Sequence, residues 1–271
     1  MSSDCLLWLD SEACRSPAAV GNKCARLAIL RQGGHNVPDG FAVTASCLRS
    51  GGWKGEVAQA LIDLAPPWVV RSSSTAEDSG GDAFAGIFTT VAGLADPAMV
   101  LAAVEEVGMS IDGIQVTAYA RARDIDPGSI EMGVLVQTLV EPSVAGVAFS
   151  RDPVTGAEET VIEANYGLGE TVVDGSVVPD GVRLGIDGEI INRRLGRKTQ
   201  KAVFSSARSG LECVPVSLAD RKRHALSDRE ARRVGKLTRR LEVETGEPAD
   251  VEWAFVATKL YLLQCRPITS C

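Results

Sequence analysis

Residues 249–268, ADVEWAFVATKLYLLQCRPI, carry side chains suited to metal and phosphate chemistry at hairpin spacing. Two strand-like runs flank Ala257-Thr258-Lys259, a three-residue loop that pairs Val256 with Leu260. Counting outward in antiparallel register sets Glu252 opposite Gln264 and Asp250 opposite Arg266. With a period of two, Asp250, Glu252, Ala254, Leu262, Gln264 and Arg266 share one face. Val251, Trp253, Phe255, Tyr261 and Leu263 share the other. A carboxylate beside an amide carbonyl is the hard-oxygen pair that Mg²⁺ accepts when phosphates and water complete its shell. Arg266 next to them suits a bidentate grip on a phosphate oxygen. The same pattern also suits a hairpin whose polar face simply meets water, and the hairpin alone leaves both readings open.

Other residues invite an anion. Arg71 ends an apolar run and is followed by Ser72, Ser73, Ser74 and Thr75, a polar cluster where a strand meets a loop. Lys23 stands beside Gly21 at a helix start, where a flexible cation meets free backbone N–H groups. A capping serine and a surface lysine explain the same two stretches equally well. The loop GGDAFAG at 80–86 has the glycines to fold over phosphates but matches neither the Walker pattern nor G-x-G-x-x-G. YGLGET at 166–171 reads first as a tight turn. Cys265 falls on the apolar face and reads as core. The chain has two histidines, His35 and His224, and no Ser-His-Asp signature.

These residues need elements to hold them. Residues 21–32 read as a helix with Leu27, Ala28 and Leu30 inward and Gly33-Gly34 as its stop. VPDGFAVT at 37–44 is a turn into a short strand, and WVVRSSS at 68–74 a second strand. Residues 97–108 place Met99, Val100, Ala103, Val104 and Val107 at helical spacing. MGVLVQTLV at 132–140 is a buried strand, and 144–150 with 160–166 form a hairpin around RDPVTG. Ser227 and Glu230 form a capping box for a helix over 227–241, with Ala231, Val234, Thr238 and Leu241 as its apolar stripe and Gly246 as its stop. Such irregular mixing, with prominent hairpins, indicates an α+β fold, and the connection around 120–132 suits a joint between subdomains.

The 271 residues, 45% apolar and 23% charged, are enough for one large or two joined domains. No apolar run approaches the ~18 residues of a membrane span. The start, MSSDCLLWLD, lacks a basic n-region, so the expected location is cytoplasmic. Seven cysteines with no C-x-x-C pair indicate neither a disulfide framework nor a zinc cage. The net charge is −7, yet residues 191–240 hold 15 lysines and arginines against 4 acids, a local +11, which leaves −18 elsewhere. A globally acidic chain argues against nucleic acid as partner. The basic segment reads as a solvated arginine-rich helix face, or as a patch for a compact anion such as a nucleotide.

In order along the chain, GNKCARLAILRQGGHNVPDGFAVT (21–44), VVRSSSTAEDSGGDAFAG (69–86), VLVQTLVEPSVAGVAFSRDPVTG (134–156), VIEANYGLGETVV (161–173) and DVEWAFVATKLYLLQCRPIT (250–269) resemble one family. It is the nucleotide-binding domain of phosphoenolpyruvate synthase, pyruvate phosphate dikinase and rifampicin phosphotransferase. The resemblance implies an ATP-grasp fold with ATP held between two subdomains, taken here as 1–131 and 132–271. It implies that Lys23 and Arg71 contact phosphate, that Glu252 and Gln264 ligate Mg²⁺, and that Arg266 is a second phosphate arginine. Gln137, Leu139 and Val140 resemble the hinge that reads adenine, and the loop to Gly86 and Thr90 the cover over the γ-phosphate. Three departures stand out. Gln115 occupies the place of a usual triphosphate arginine, with Arg121 or Arg123 as substitutes. Ile87 and Phe88 replace the glutamines of the cover, and neither histidine has the family's Thr-Ser-His context.

The leading expectation is therefore a phosphotransferase component that cleaves Mg-ATP and passes phosphoryl to a histidine on a partner protein, which serves a small-molecule acceptor. Two alternatives remain open at this level: a self-sufficient small-molecule kinase or ligase, and a nucleotide-binding pseudoenzyme.

Overall fold

The computed structural model describes residues 5–77, 89–113, 116, 118, 120, 126–205 and 210–268. The chain divides into two compact units, Met1–Leu139 with Ser206–Gly210, and Val140–Ser205 with Leu211–Cys271. Both carry an antiparallel sheet with helices, the α+β class expected.

The first unit is built on a five-stranded sheet of order β1-β2-β5-β3-β4, from β1 (Leu6–Trp8), β2 (Gly40–Val43), β3 (Trp68–Ser74), β4 (Thr90–Leu94) and β5 (Met132–Thr138). Helices α1 (Pro17–Gln32), α2 (Ala45–Ser50), α3 (Trp53–Asp63) and α4 (Pro97–Met109) accompany it. One sheet face, with Phe41, Val70 and Val136 in register, packs against Trp53, Val57, Val100 and Val104. The apolar stripe read from 97–108 is buried except for Met99, which lies at its exposed margin. The strand β5 sits in the middle of this sheet, so the division falls after Leu139 and not near 131. Cys5 and Cys47 are joined as a disulfide between the start of β1 and α2, a pairing that the cysteine spacing did not suggest.

The second unit is a six-stranded sheet of order β13-β12-β6-β7-β8-β9. Its strands are β6 (Val144–Phe149), β7 (Thr160–Tyr166), β8 (Asp180–Leu184), β9 (Ile190–Arg194), β12 (Ala249–Val256) and β13 (Lys259–Pro267). A two-stranded ribbon, β10 (Gln200–Ser205) with β11 (Gly210–Pro215), precedes helix α5 (Asp228–Thr245). The capping box forms as read: Ser227 Oγ accepts from Glu230 N and the Glu230 carboxylate accepts from Ser227 N. The stripe Ala231, Val234, Thr238 and Leu241 is buried, and Gly246 ends the helix in the left-handed region. Ala231 and Val234 pack on Trp253, Phe255, Ile162 and Val182. The basic segment is thus a helix face only in part, since Ile190–Arg194, Gln200–Ser205 and Gly210–Pro215 are strands. Many of its arginines are paired, including Arg193 with Asp228, Arg194 with Glu163 and Arg232 with Glu189.

Candidate functional site

In the second unit the ladder sets Glu252 opposite Gln264 and Asp250 opposite Arg266, as the sequence predicts, but by a different route. The turn has two residues, Ala257 and Thr258, with Ala257 at φ 51°, and Val256 pairs with Lys259. An irregularity between Glu252 and Trp253 then inserts Leu263 as an extra residue and restores the register. The expected faces are therefore corrected near the turn. Leu262 pairs with Trp253 on the core side and is fully buried, while Tyr261 pairs with Ala254 on the other. Cys265 is buried opposite Val251, as read.

Side chains directly opposite on an antiparallel pair stand about 5 Å apart at Cβ. Glu252 and Gln264 can thus turn their oxygens onto one small cation. Gln264 is buried and Glu252 half-buried. Next along the same face, Arg266 Nε donates to Asp250 Oδ2 at 2.7 Å, which fixes the guanidinium at one edge. The row through Glu252 continues across the sheet through Val147 to Glu163, which pairs with Arg194 at 3.6 Å. Glu163 was missed in the sequence reading. Its signal was the alternation of TVIEANY, which puts it out of phase with the buried Ile162 and Ala164. Among the described residues no three His, Cys, Asp or Glu side chains converge as a metal cage, so the donor pair at hand is Glu252 with Gln264.

In the first unit, Arg71 is in register with Thr90 on one side and Leu135 on the other. Gln137 pairs with Gly40 and Val69. Alternation puts Arg71, Thr90 and Gln137 on one sheet face, the face on which α1 packs through Ser73 and Gly133. Lys23 is not the surface lysine of the simpler reading. Its side chain is 9% exposed, and Nζ donates to Ser72 O at 3.1 Å and stands 3.5 Å from Glu77 Oε2. Its place follows from the local chain. Helix α1 breaks at Gly21 (φ 78°, ψ 168°), whose bare Cα lies under Ser73, and resumes with Cys24 N donating to Ser73 Oγ at 2.9 Å. Gln137 Nε2 donates to Pro38 O at 3.2 Å and Leu139 N to Pro67 O at 2.7 Å, so these two donors are engaged within the unit. Gly86, Gln115, Ile87, Phe88, Arg121 and Arg123, with the loop 80–86, lie outside the described residues.

Neither histidine joins these groups. His35 is buried just past α1, and His224 Nδ1 stands 3.9 Å from Asp180, with burial and Arg193 holding its pKa below the usual imidazole value. No described helix is long and apolar enough to cross a membrane.

The family model described as "Pyruvate phosphate dikinase, AMP/ATP-binding domain" matches residues 55–271. The rifampicin phosphotransferase of Streptomyces sviceus is 35% identical over 204 residues, 75% of this chain and 23% of that protein. The phosphoenolpyruvate synthase of Pseudomonas aeruginosa is 37% identical over 215 residues, 74% of this chain and 27% of that one. The chain thus spans about a quarter of the length of these two curated relatives. Among solved structures, the dinucleotide-forming acetyl-coenzyme A synthetase 1 of Ca. Korarchaeum cryptofilum aligns over 88% of this chain and 87% of that one, with 13% identity and a TM-score of 0.47. A family match that extends over most of the chain, from within α3 through β3 to the β12–β13 hairpin, decides the classification: this protein belongs to the pyruvate phosphate dikinase AMP/ATP-binding domain family.

Proposed function

We propose that this chain binds ATP with Mg²⁺, cleaves it, and hands a phosphoryl group to a histidine supplied from outside residues 1–271, which in turn serves a small-molecule acceptor. The observation that carries the reading is the β12–β13 ladder, with Glu252 facing Gln264 and the Asp250–Arg266 pair beside them. The donor set suits Mg²⁺: two hard oxygens from the protein, with phosphate and water to fill the remaining positions. When bound, the metal supplies charge neutralisation on the phosphates.

The chain's own residues supply position and countercharge, which is most of what phosphoryl transfer asks of a protein. Arg266, braced by Asp250, offers its guanidinium to a phosphate oxygen. Lys23 and Arg71 supply phosphate cations, and Thr90, in register with Arg71, belongs to the cover over the γ-phosphate. Gln137, Leu139 and Val140 frame adenine. Leu139 N donates to Pro67 O, so that N–H is engaged within the fold. A cytoplasmic setting accords with such nucleotide chemistry and belongs to the same proposal.

The test is Glu252→Ala with the cognate phosphohistidine protein present. Mg²⁺-dependent formation of AMP should disappear while circular dichroism and melting stay close to wild type. Turnover that survives the change would remove Glu252 from the metal site. ADP in place of AMP in the wild-type reaction would replace the dikinase reading with that of an ordinary kinase.

A further inference from the structure

A carboxylate that the sequence reading passed over sits against Lys23. Glu77 is 6% exposed and is held at both oxygens: Ser72 Oγ donates to Oε1 at 2.8 Å and Ser74 N to Oε2 at 3.1 Å. Its backbone is fixed as well, since Asn22 Nδ2 donates to Thr75 O at 2.9 Å and to Glu77 O at 2.6 Å. The Lys23 ammonium has three donors. Among the described residues it meets only Ser72 O and Glu77, the latter at 3.5 Å, outside close ion-pair contact. A rigid carboxylate thus faces a flexible, buried cation that it balances without gripping.

We propose that Glu77 is a positioning residue that acts through Lys23: it balances the ammonium at the end of β3 while the site is empty and yields it to the polyphosphate of the nucleotide. This rests on the ATP reading above. The physical argument is one of linkage. A buried ammonium without a counter-charge is costly, and an incoming polyphosphate can replace the carboxylate as its partner. Removing the carboxylate therefore destabilises the empty protein and favours the occupied one. A carboxylate with only a structural role would, when neutralised, weaken both.

Glu77→Gln isolates the charge, because the amide can still accept from Ser74 N and donate to Ser72 Oγ. In titration calorimetry on the whole chain, E77Q should bind ATP and inorganic tripolyphosphate about three- to tenfold more tightly than wild type. Adenosine, which is uncharged, should bind as before, and the melting temperature of the nucleotide-free protein should fall. In a Lys23→Gln background the gain from E77Q should shrink to less than about twofold. E77Q that binds the polyphosphates no more tightly overturns the proposal, and so does a gain that persists in full without Lys23. If K23Q alone leaves ATP and tripolyphosphate binding at wild-type strength, the phosphate role of Lys23 fails first, and the proposal falls with it. Should E77Q not fold, Glu77→Asp withdraws the carboxylate by one methylene and is read by the same signs.

Discussion

Replacing Gly21 with alanine tests whether the break in α1 is what places Lys23. A Cβ at this position would lie 1.8 Å from Ser73 O, 2.2 Å from Ser73 C and 2.6 Å from Ser73 Oγ. Real Cβ contacts essentially never fall below 3.0 Å, so β3 or α1 must retreat by more than an ångström. The backbone at φ 78°, ψ 168° lies in a region close to glycine-only, which costs a side chain about 1–3 kcal/mol. Forcing apart a packed helix and strand adds about 1–3 kcal/mol. Together these predict a loss of about 2–6 kcal/mol in the first unit, or roughly 10 °C in its melting temperature. Gly34, at φ 88° with nothing within 4 Å of its Cβ, serves as the control. Gly34→Ala keeps the backbone cost without the clash and should lose only about 1 kcal/mol. Trp8, Trp53 and Trp68 belong to the first unit and Trp253 to the second, so denaturant unfolding followed by fluorescence reports mainly on the unit affected. G21A should also weaken ATP binding, because Lys23 moves with the helix. If G21A melts within about 2 °C of wild type, the close approach of α1 to β3 is not what holds this site.

Two further predictions concern the second unit. Asp152 Oδ1 accepts from Val154 N at 2.8 Å and Thr155 N at 3.0 Å, and its other oxygen meets Arg183. The backbone bonds first and the guanidinium second hold its pKa at about 2, below the 3.8 of a free aspartate. The stabilisation, at most about 2 kcal/mol, is present above pH 4 and fades as the pH falls toward 2. Asp152→Asn should flatten that acid limb in denaturation measured from pH 7 to 2.5; an unchanged slope would refute the assignment. Lys198 is fully buried against Asp180, whose oxygens also accept from Gly196 N and Ala225 N at 2.7 Å. Lys198→Met strands that carboxylate and should cost about 3–5 kcal/mol, with partial recovery in K198M/D180N; a neutral single variant would show that the pair contributes nothing.

Periodic apolar segments and caps were legible because one local rule decides each of them. β3 was read to the residue, and α5 with its capping box and closing glycine nearly so. The β12–β13 register came out right through two compensating departures. The turn is one residue shorter than expected and Leu263 is an extra residue, so the pairs nearest the turn differ while Glu252 and Gln264 still meet. Alternation alone carries no sign of such a bulge. Burial of a cation was equally hidden: nothing within GNKCAR says that Lys23 will be enclosed, because the partners that enclose it, Ser72 and Glu77, lie 49 and 54 positions away. The β8–β11 strands escaped notice because each is only five or six residues long, and β9 and β11 bury no residue fully, which leaves little period-two signal. Cys5 and Cys47 meet because β1 pairs with β2, a long-range fact that spacing does not encode.

The position of β5 has a consequence for how the chain must come together. The strands on either side of it, β2 and β3, end at Val43 and Ser74, yet the piece that joins them begins only at Met132. As synthesis proceeds, β1–β2 and β3–β4 can each pair early as hairpin-like ribbons with open inner edges. They remain two half-sheets until a late-arriving wedge zips between them, a long-range closure of the kind that slows folding. A ribosome paused before residue 132 would therefore hold a nascent chain with two sticky edges, and the wedge would complete the Arg71–Leu135 and Gly40–Gln137 rows at one stroke.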